Sequence, residues 1–120
     1  MEKIVAHIVS GLKKDKSVLA VLLFGSHAKG KANPMSDIDL AVVLQPYSSK
    51  SAIESSAMSS RFVDTVVFNN LPPYVKFEVI KHSKVLFCRS KKRLASAFAD
   101  ALREYHYHIP LYEKFIKVKQ

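Results

Sequence analysis

Ile4, Val5, Ile8, Val9 and Leu12 recur at three- and four-residue spacings, so residues 2 to 15 carry one apolar stripe and predict an amphipathic helix packed on a sheet. The period then changes. Val18 to Phe24 (VLAVLLF) is a short run without a polar interruption, as expected of a strand buried on both faces, and Gly25 ends it. Residues up to Ser36 are small, polar or turn-forming, including Gly30, Asn33 and Pro34, which predicts a loop or a short helix opening at Ser26. Asp37 to Leu44 (DIDLAVVL) predicts a second strand, whose two-residue alternation places Asp37 and Asp39 on one face and Ile38 and Leu40 on the other.

Residues 47 to 60 are serine-rich with Ala52, Ile53, Ala57 and Met58 as apolar anchors, and predict a weak helix with a loop as the alternative. Arg61 to Phe68 predicts a third strand, closed by Asn69-Asn70 and Pro72-Pro73, and proline suits the first turn of a helix running to about His82. Lys84 to Arg89 predicts a short fourth strand. From Ser90 a long helical pattern passes through Leu94, Ala97, Phe98, Ala101, Leu102 and Tyr105, and Pro110 is expected to break or kink it. There are no internal repeats.

A chain of 120 residues, 48% hydrophobic, suits one compact α/β domain spanning 1–120, with 91–120 as a C-terminal helical extension. Cys88 is the only cysteine, which rules out an internal disulfide or a four-cysteine zinc site and fits a reducing, cytoplasmic setting. The start of the chain lacks an apolar stretch of signal-peptide length, and no segment approaches the roughly 18 to 20 apolar residues of a membrane span, so an unprocessed protein with no membrane partner is expected. Nineteen basic residues against ten acidic ones give a net charge of +9 and a field that attracts nucleotides, nucleic acid or an acidic protein face. Lys91-Lys92-Arg93 and the late lysines Lys114, Lys117 and Lys119 fit either a solvated face and tail or a nucleic-acid patch.

The candidate chemistry lies in Gly25-Ser26, a ten-residue gap, and then Asp37-Ile38-Asp39. A glycine after a buried strand lets the backbone turn tightly and come close to a phosphate, while Ser26 offers a hydroxyl and an N–H. Two aspartates one residue apart on a strand project side by side as hard oxygen ligands suited to Mg²⁺ or Mn²⁺. Either half alone is a common pattern. Together they are far rarer, and adjacent like charges on a mostly buried sheet demand compensation by a cation or several donors.

These residues, LLFGSHAKG and SDIDLAVVL, resemble the DNA polymerase β-like nucleotidyltransferases, and within them the small stand-alone MNT domains. The likeness extends through VDTVVF, LPPYVKFEVIK and KVLFCR, and so spans most of residues 1 to 90. It implies a mixed sheet of about four strands flanked by helices, and transfer of a nucleoside monophosphate, AMP from ATP above all, to a hydroxyl. It also implies a third carboxylate from a later strand, where Asp64 is the sole acid. Asp37, Asp39 and Asp64 are then the catalytic and metal-binding set, with Gly25, Ser26 and Lys29 on the nucleotide. Lys29 departs from the arginine usual in such domains and loses the bidentate fork while keeping the charge. Asp64 has a plainer reading as a strand-end residue satisfied by Arg61 or solvent.

His27 is read as a variable exposed loop position, His7, His82, His106 and His108 as solvated or capping residues, and Cys88 as buried packing. The Tyr105-His106-Tyr107-His108 cluster suits a partner surface. With only about 30 residues after the core, the chain has little room for an acceptor-binding domain. Stand-alone MNT domains are often paired with a helical HEPN toxin, which the resemblance implies as the protein acceptor. Two other functions stay open: an antitoxin acting by occlusion without catalysis, and a basic domain that binds RNA. Oligomer formation is open as well.

Overall fold

The uninterrupted apolar run from Val18 forms the strand around which the sheet is built. The computed structural model describes residues 2–28, 30 and 37–119, the last nine by backbone alone. In chain order they form α1 (Glu2–Leu12), β1 (Val18–Phe24), β2 (Ile38–Leu44), α2 (Ser49–Ala57), β3 (Val63–Val67), a 3-10 turn (Phe68–Asn70), α3 (Pro73–His82), β4 (Lys84–Cys88) and α4 (Lys91–Lys119). The sheet has the order β3-β2-β1-β4, with β1 antiparallel to both neighbours and β2 parallel to β3. This is the expected mixed four-stranded sheet flanked by helices.

Alternation along the strands divides their side chains between two cores. Val18, Val21, Leu40, Val42 and Val63 meet Ile8 and Leu12 of α1 and Ala52 of α2 on one face. On the other, Leu19, Leu22, Ala41 and Val43 meet Phe68, Val79 of α3, and Leu94 and Ala101 of α4. Leu19, Leu22 and Leu40 are fully buried, each contributing about 1.5–3 kcal/mol relative to exposure.

Element ends depart from the sequence pattern where side chains capture the backbone. The first helix stops at Leu12 rather than near residue 15, because Asp15 accepts a hydrogen bond from the Ser17 N–H at 2.8 Å and turns the chain into β1. That bond, with a Ser51 hydroxyl, holds the Asp15 carboxyl below its ordinary pKa. Arg89, just past β4, clasps the same turn: its Nε donates to the Val18 carbonyl at 3.0 Å, and Nη2 donates to the carbonyls of Lys13 at 3.0 Å and Asp15 at 3.3 Å. Arg89→Ala should therefore destabilise the fold by about 1–2 kcal/mol, read as a lower urea midpoint with an unchanged slope.

The third strand ends at Val67, and Asn69, which as sequence reads only as a breaker, takes the place of a strand neighbour. Its amide donates to the Leu44 carbonyl and accepts from the Leu44 N–H, both at 2.9 Å. The expected break at Pro110 does not occur: α4 continues through it to Lys119. Proline removes one N–H from the helical ladder, and since Pro110 and His106 are both exposed, water can satisfy the freed carbonyl at position 106.

Candidate active site

The pairing of β2 with β3 brings acids far apart in sequence into one register. Asp39 lies opposite Asp64 across the parallel pair, and Phe24, the last residue of β1, lies opposite Asp39 on the other side. Neighbouring strands stand only about 4.8 Å apart, so the two carboxylates share one patch at the end of the sheet. Two anchors fix that register. The Ile38 N–H donates to the Phe62 carbonyl at 2.9 Å, and buried Thr65, next to Asp64, donates its hydroxyl to the Met58 carbonyl at 2.9 Å.

Asp37 does not belong to β2. It sits one residue before the strand and is exposed, yet it is close enough for its charge to act on Asp39. Burial raises the pKa of Asp39 above the ordinary carboxylate value, the charges of Asp64 and Asp37 raise it further, and His27 works in the opposite direction. Thus Asp39 holds the centre of an acidic cluster. The Arg61 guanidinium lies over the Phe62 ring, 5.5 Å from the centroid. Ion pairs farther from the cluster join Lys76 to Glu104, His82 to Glu78 and Arg103 to Asp100.

Gly25 closes the cluster from the β1 side. Its φ of 75° is the left-handed conformation that side chains disfavour, and a Cβ there would run into Oδ2 of Asp39, with Cγ at 3.3 Å. The glycine thus makes room for the Asp39 carboxylate, a role that the sequence alone did not reveal. The turn continues through partly buried Ser26 and His27 to Ala28, which is buried, and to Gly30, again left-handed with φ 69°. Ala28 pins the turn to the body of the protein; its small apolar side chain between polar neighbours was the available sign. Lys29 lies outside the described residues.

Among the described residues, no group of three His, Cys, Asp or Glu side chains is spaced as a closed metal cluster. The donor set nevertheless suits a divalent cation: the acids are oxygen donors only, share one strand end, and disfavour their own charge in Asp39. His27 is not the plain loop residue of the sequence reading; it is partly buried and lines a groove beside α1. Tyr105 stacks on Phe77 at 4.3 Å, whereas Tyr107 is exposed. Cys88 is partly buried and packs against the core beneath α3 and α4.

Residues 6–92 match the family model described as polymerase beta, nucleotidyltransferase. The chain belongs to the polymerase beta nucleotidyltransferase family. It is 36% identical over 70 residues to a Methanocaldococcus jannaschii protein named for a protein adenylyltransferase activity, a match covering 58% of this chain and 56% of that one. The match thus spans little more than half of the relative's length. Among solved structures, the chain is similar to one of a toxin–antitoxin with AMP-PNP, with a TM-score of 0.71 and 21% identity over 95% of this chain and 98% of that one. It is also similar to one of the tri-AMPylated Shewanella oneidensis HEPN toxin in complex with MNT antitoxin, with a TM-score of 0.67 and 19% identity over the full length of both chains. At these identities the two structures establish the shared fold. No helix among the described residues is long and apolar enough to cross a membrane.

Proposed function

We propose that this chain transfers AMP from ATP to a hydroxyl of a HEPN-type toxin and thereby acts as its antitoxin. The observation that carries the reading is the convergence of Asp39 and Asp64 in one strand register beside a glycine whose missing side chain accommodates Asp39. The AMP-PNP in one similar structure and the AMPylated toxin in another support the choice of nucleotide and acceptor.

Asp37, Asp39 and Asp64 would hold Mg²⁺, with Mn²⁺ suited to the same donors, and the ion would supply charge neutralisation at the phosphate oxygens. Backbone N–H groups and the hydroxyl of the Gly25-Ser26 turn position the triphosphate, with the Lys29 charge beside it. In the transfer, a bond forms between the acceptor oxygen and the α-phosphorus while the bond to the bridging oxygen breaks, so pyrophosphate leaves. Asp64, on the outer strand, takes the hydroxyl proton.

Incubation of the chain with α-labelled ATP, Mg²⁺ and a candidate HEPN-type protein tests this reading. Label should appear on the toxin with the wild-type chain and vanish with Asp39→Ala. Neutralisation that survives this substitution without label would replace catalysis by occlusion, and salt-sensitive RNA binding without transfer would favour the nucleic-acid role that the +9 charge also allows.

A further inference from the structure

The outer strand β4 is paired irregularly with β1. Leu22 lies opposite Val85 and Val21 opposite Phe87, so Leu86 is an extra residue. A bulge of this kind breaks the alternation of a strand and re-aims a side chain. Here Phe87 packs against the core under α1, and its neighbour Leu86 also turns to the α1 side while staying 41% exposed. Leu86 forms one wall of a groove of about 690 Å³ whose other wall is Val5, Ala6 and Val9 of α1 and whose floor is Leu23 and Ile38. His27 lines the same groove, which therefore runs up to the Gly25-Ser26 turn.

We propose that this groove docks a helix of the HEPN-type partner, one that carries acidic residues beside an apolar face; the inference rests on the antitoxin reading and names its contact surface. The shape is a trough between a helix and a strand edge, as in helix-in-groove recognition. The bulge at Leu86 makes the open edge a poor template for an added strand, which leaves a helix as the fitting element. Charge selects the partner. Lys3, Lys13 and Lys84, all exposed on or beside α1 and β4, outnumber Glu2, the acid in the groove lining, while a net charge of +9 opposes a second copy of this chain. The apolar walls offer little to a phosphate backbone. The nucleotide belongs elsewhere, since Asp39 shares its face of β2 with Ala41 and Val43, which pack toward α3 and α4, whereas the groove lies on the α1 face.

The test is a titration of the full chain with the HEPN protein from the transfer assay, using Ala6→Glu and Leu86→Glu. Each variant should weaken partner binding by about 100-fold, leave Mg-ATP binding within twofold of wild type, and show the same far-UV spectrum; wild-type affinity should fall as salt is raised. Ala6 is exposed in the middle of α1, so Ala6→Glu decides the matter should Leu86→Glu fail to fold. Partner binding unchanged in Ala6→Glu overturns the groove assignment. So does loss of nucleotide uptake with intact partner binding, which would make the groove a nucleotide subsite, and so does loss of self-association alone, which would make the occupant a second copy. A wild-type chain that binds Mg-ATP but not the HEPN protein overturns the antitoxin reading itself.

Discussion

With Asp39 replaced by asparagine, nucleotidyl transfer should fall by about three orders of magnitude or more while the free protein becomes more resistant to heat. The loss follows from removing one charged oxygen donor from a centre whose charge stabilisation is worth several kcal/mol, at about 1.4 kcal/mol per tenfold in rate. The gain follows from the same clustering. Burial raises the pKa of Asp39 and the charges of Asp64 and Asp37 add to the effect, so in the folded protein the carboxyl holds its proton more tightly than in the unfolded chain. Such a group stabilises the fold at low pH, and that stabilisation is lost as pH rises through the folded pKa. At neutral pH the ionised carboxylate opposes folding, and asparagine removes the opposition at nearly the same volume. We expect a rise in melting temperature of about 2 °C or more at neutral pH, shrinking to nothing as the pH is lowered into the range where Asp39 is protonated. Mg²⁺ should narrow the gap from the other side by stabilising the wild type only. A variant that melts below wild type at neutral pH, or that keeps a tenth of its activity, contradicts this account.

Gly25→Ala should damage both fold and activity, and Gly30→Ala separates the causes. Both glycines are left-handed, with φ of 75° and 69°, so each substitution costs about 1–2 kcal/mol of backbone strain. At Gly25 the new Cβ meets the carboxylate of Asp39; at Gly30 no atom of the described residues lies within 4 Å. Gly25→Ala should therefore lower transfer by about 100-fold or more by displacing a positioned group, and Gly30→Ala should show the stability loss alone. Matched denaturation curves and initial rates decide it, and equal activity in the two variants would remove Gly25 from the architecture of the site.

Much of this was legible in the residues because the strands that matter are buried. VLAVLLF has no polar position to make its assignment ambiguous, and its burial on both faces requires helices on both sides of the sheet. The Asp37 and Asp39 pattern was equally plain, although Asp37 precedes β2 and approaches Asp39 from the loop instead of sharing a regular strand face. What stayed hidden depends on partners distant in sequence. Nothing in RFVDTVVF specifies that Asp64 sits across from Asp39, since register is set by pairing between strands. The Asn69 amide bridging Leu44 and the Arg89 clasp on the first turn are long-range hydrogen bonds that no local pattern encodes. Leu86 was hidden for a similar reason: a bulge shows itself only against the neighbouring strand.

The parallel joining of β2 and β3 requires the chain to leave the sheet, pass through α2 and return before Asp64 can meet Asp39. The acidic cluster is therefore complete only late in synthesis: a nascent chain released before residue 64 carries the glycine elbow and the first two acids but lacks the third. A nick in the crossover, residues 47–61, would leave Asp39 and Asp64 on separate fragments held together only by strand pairing and packing.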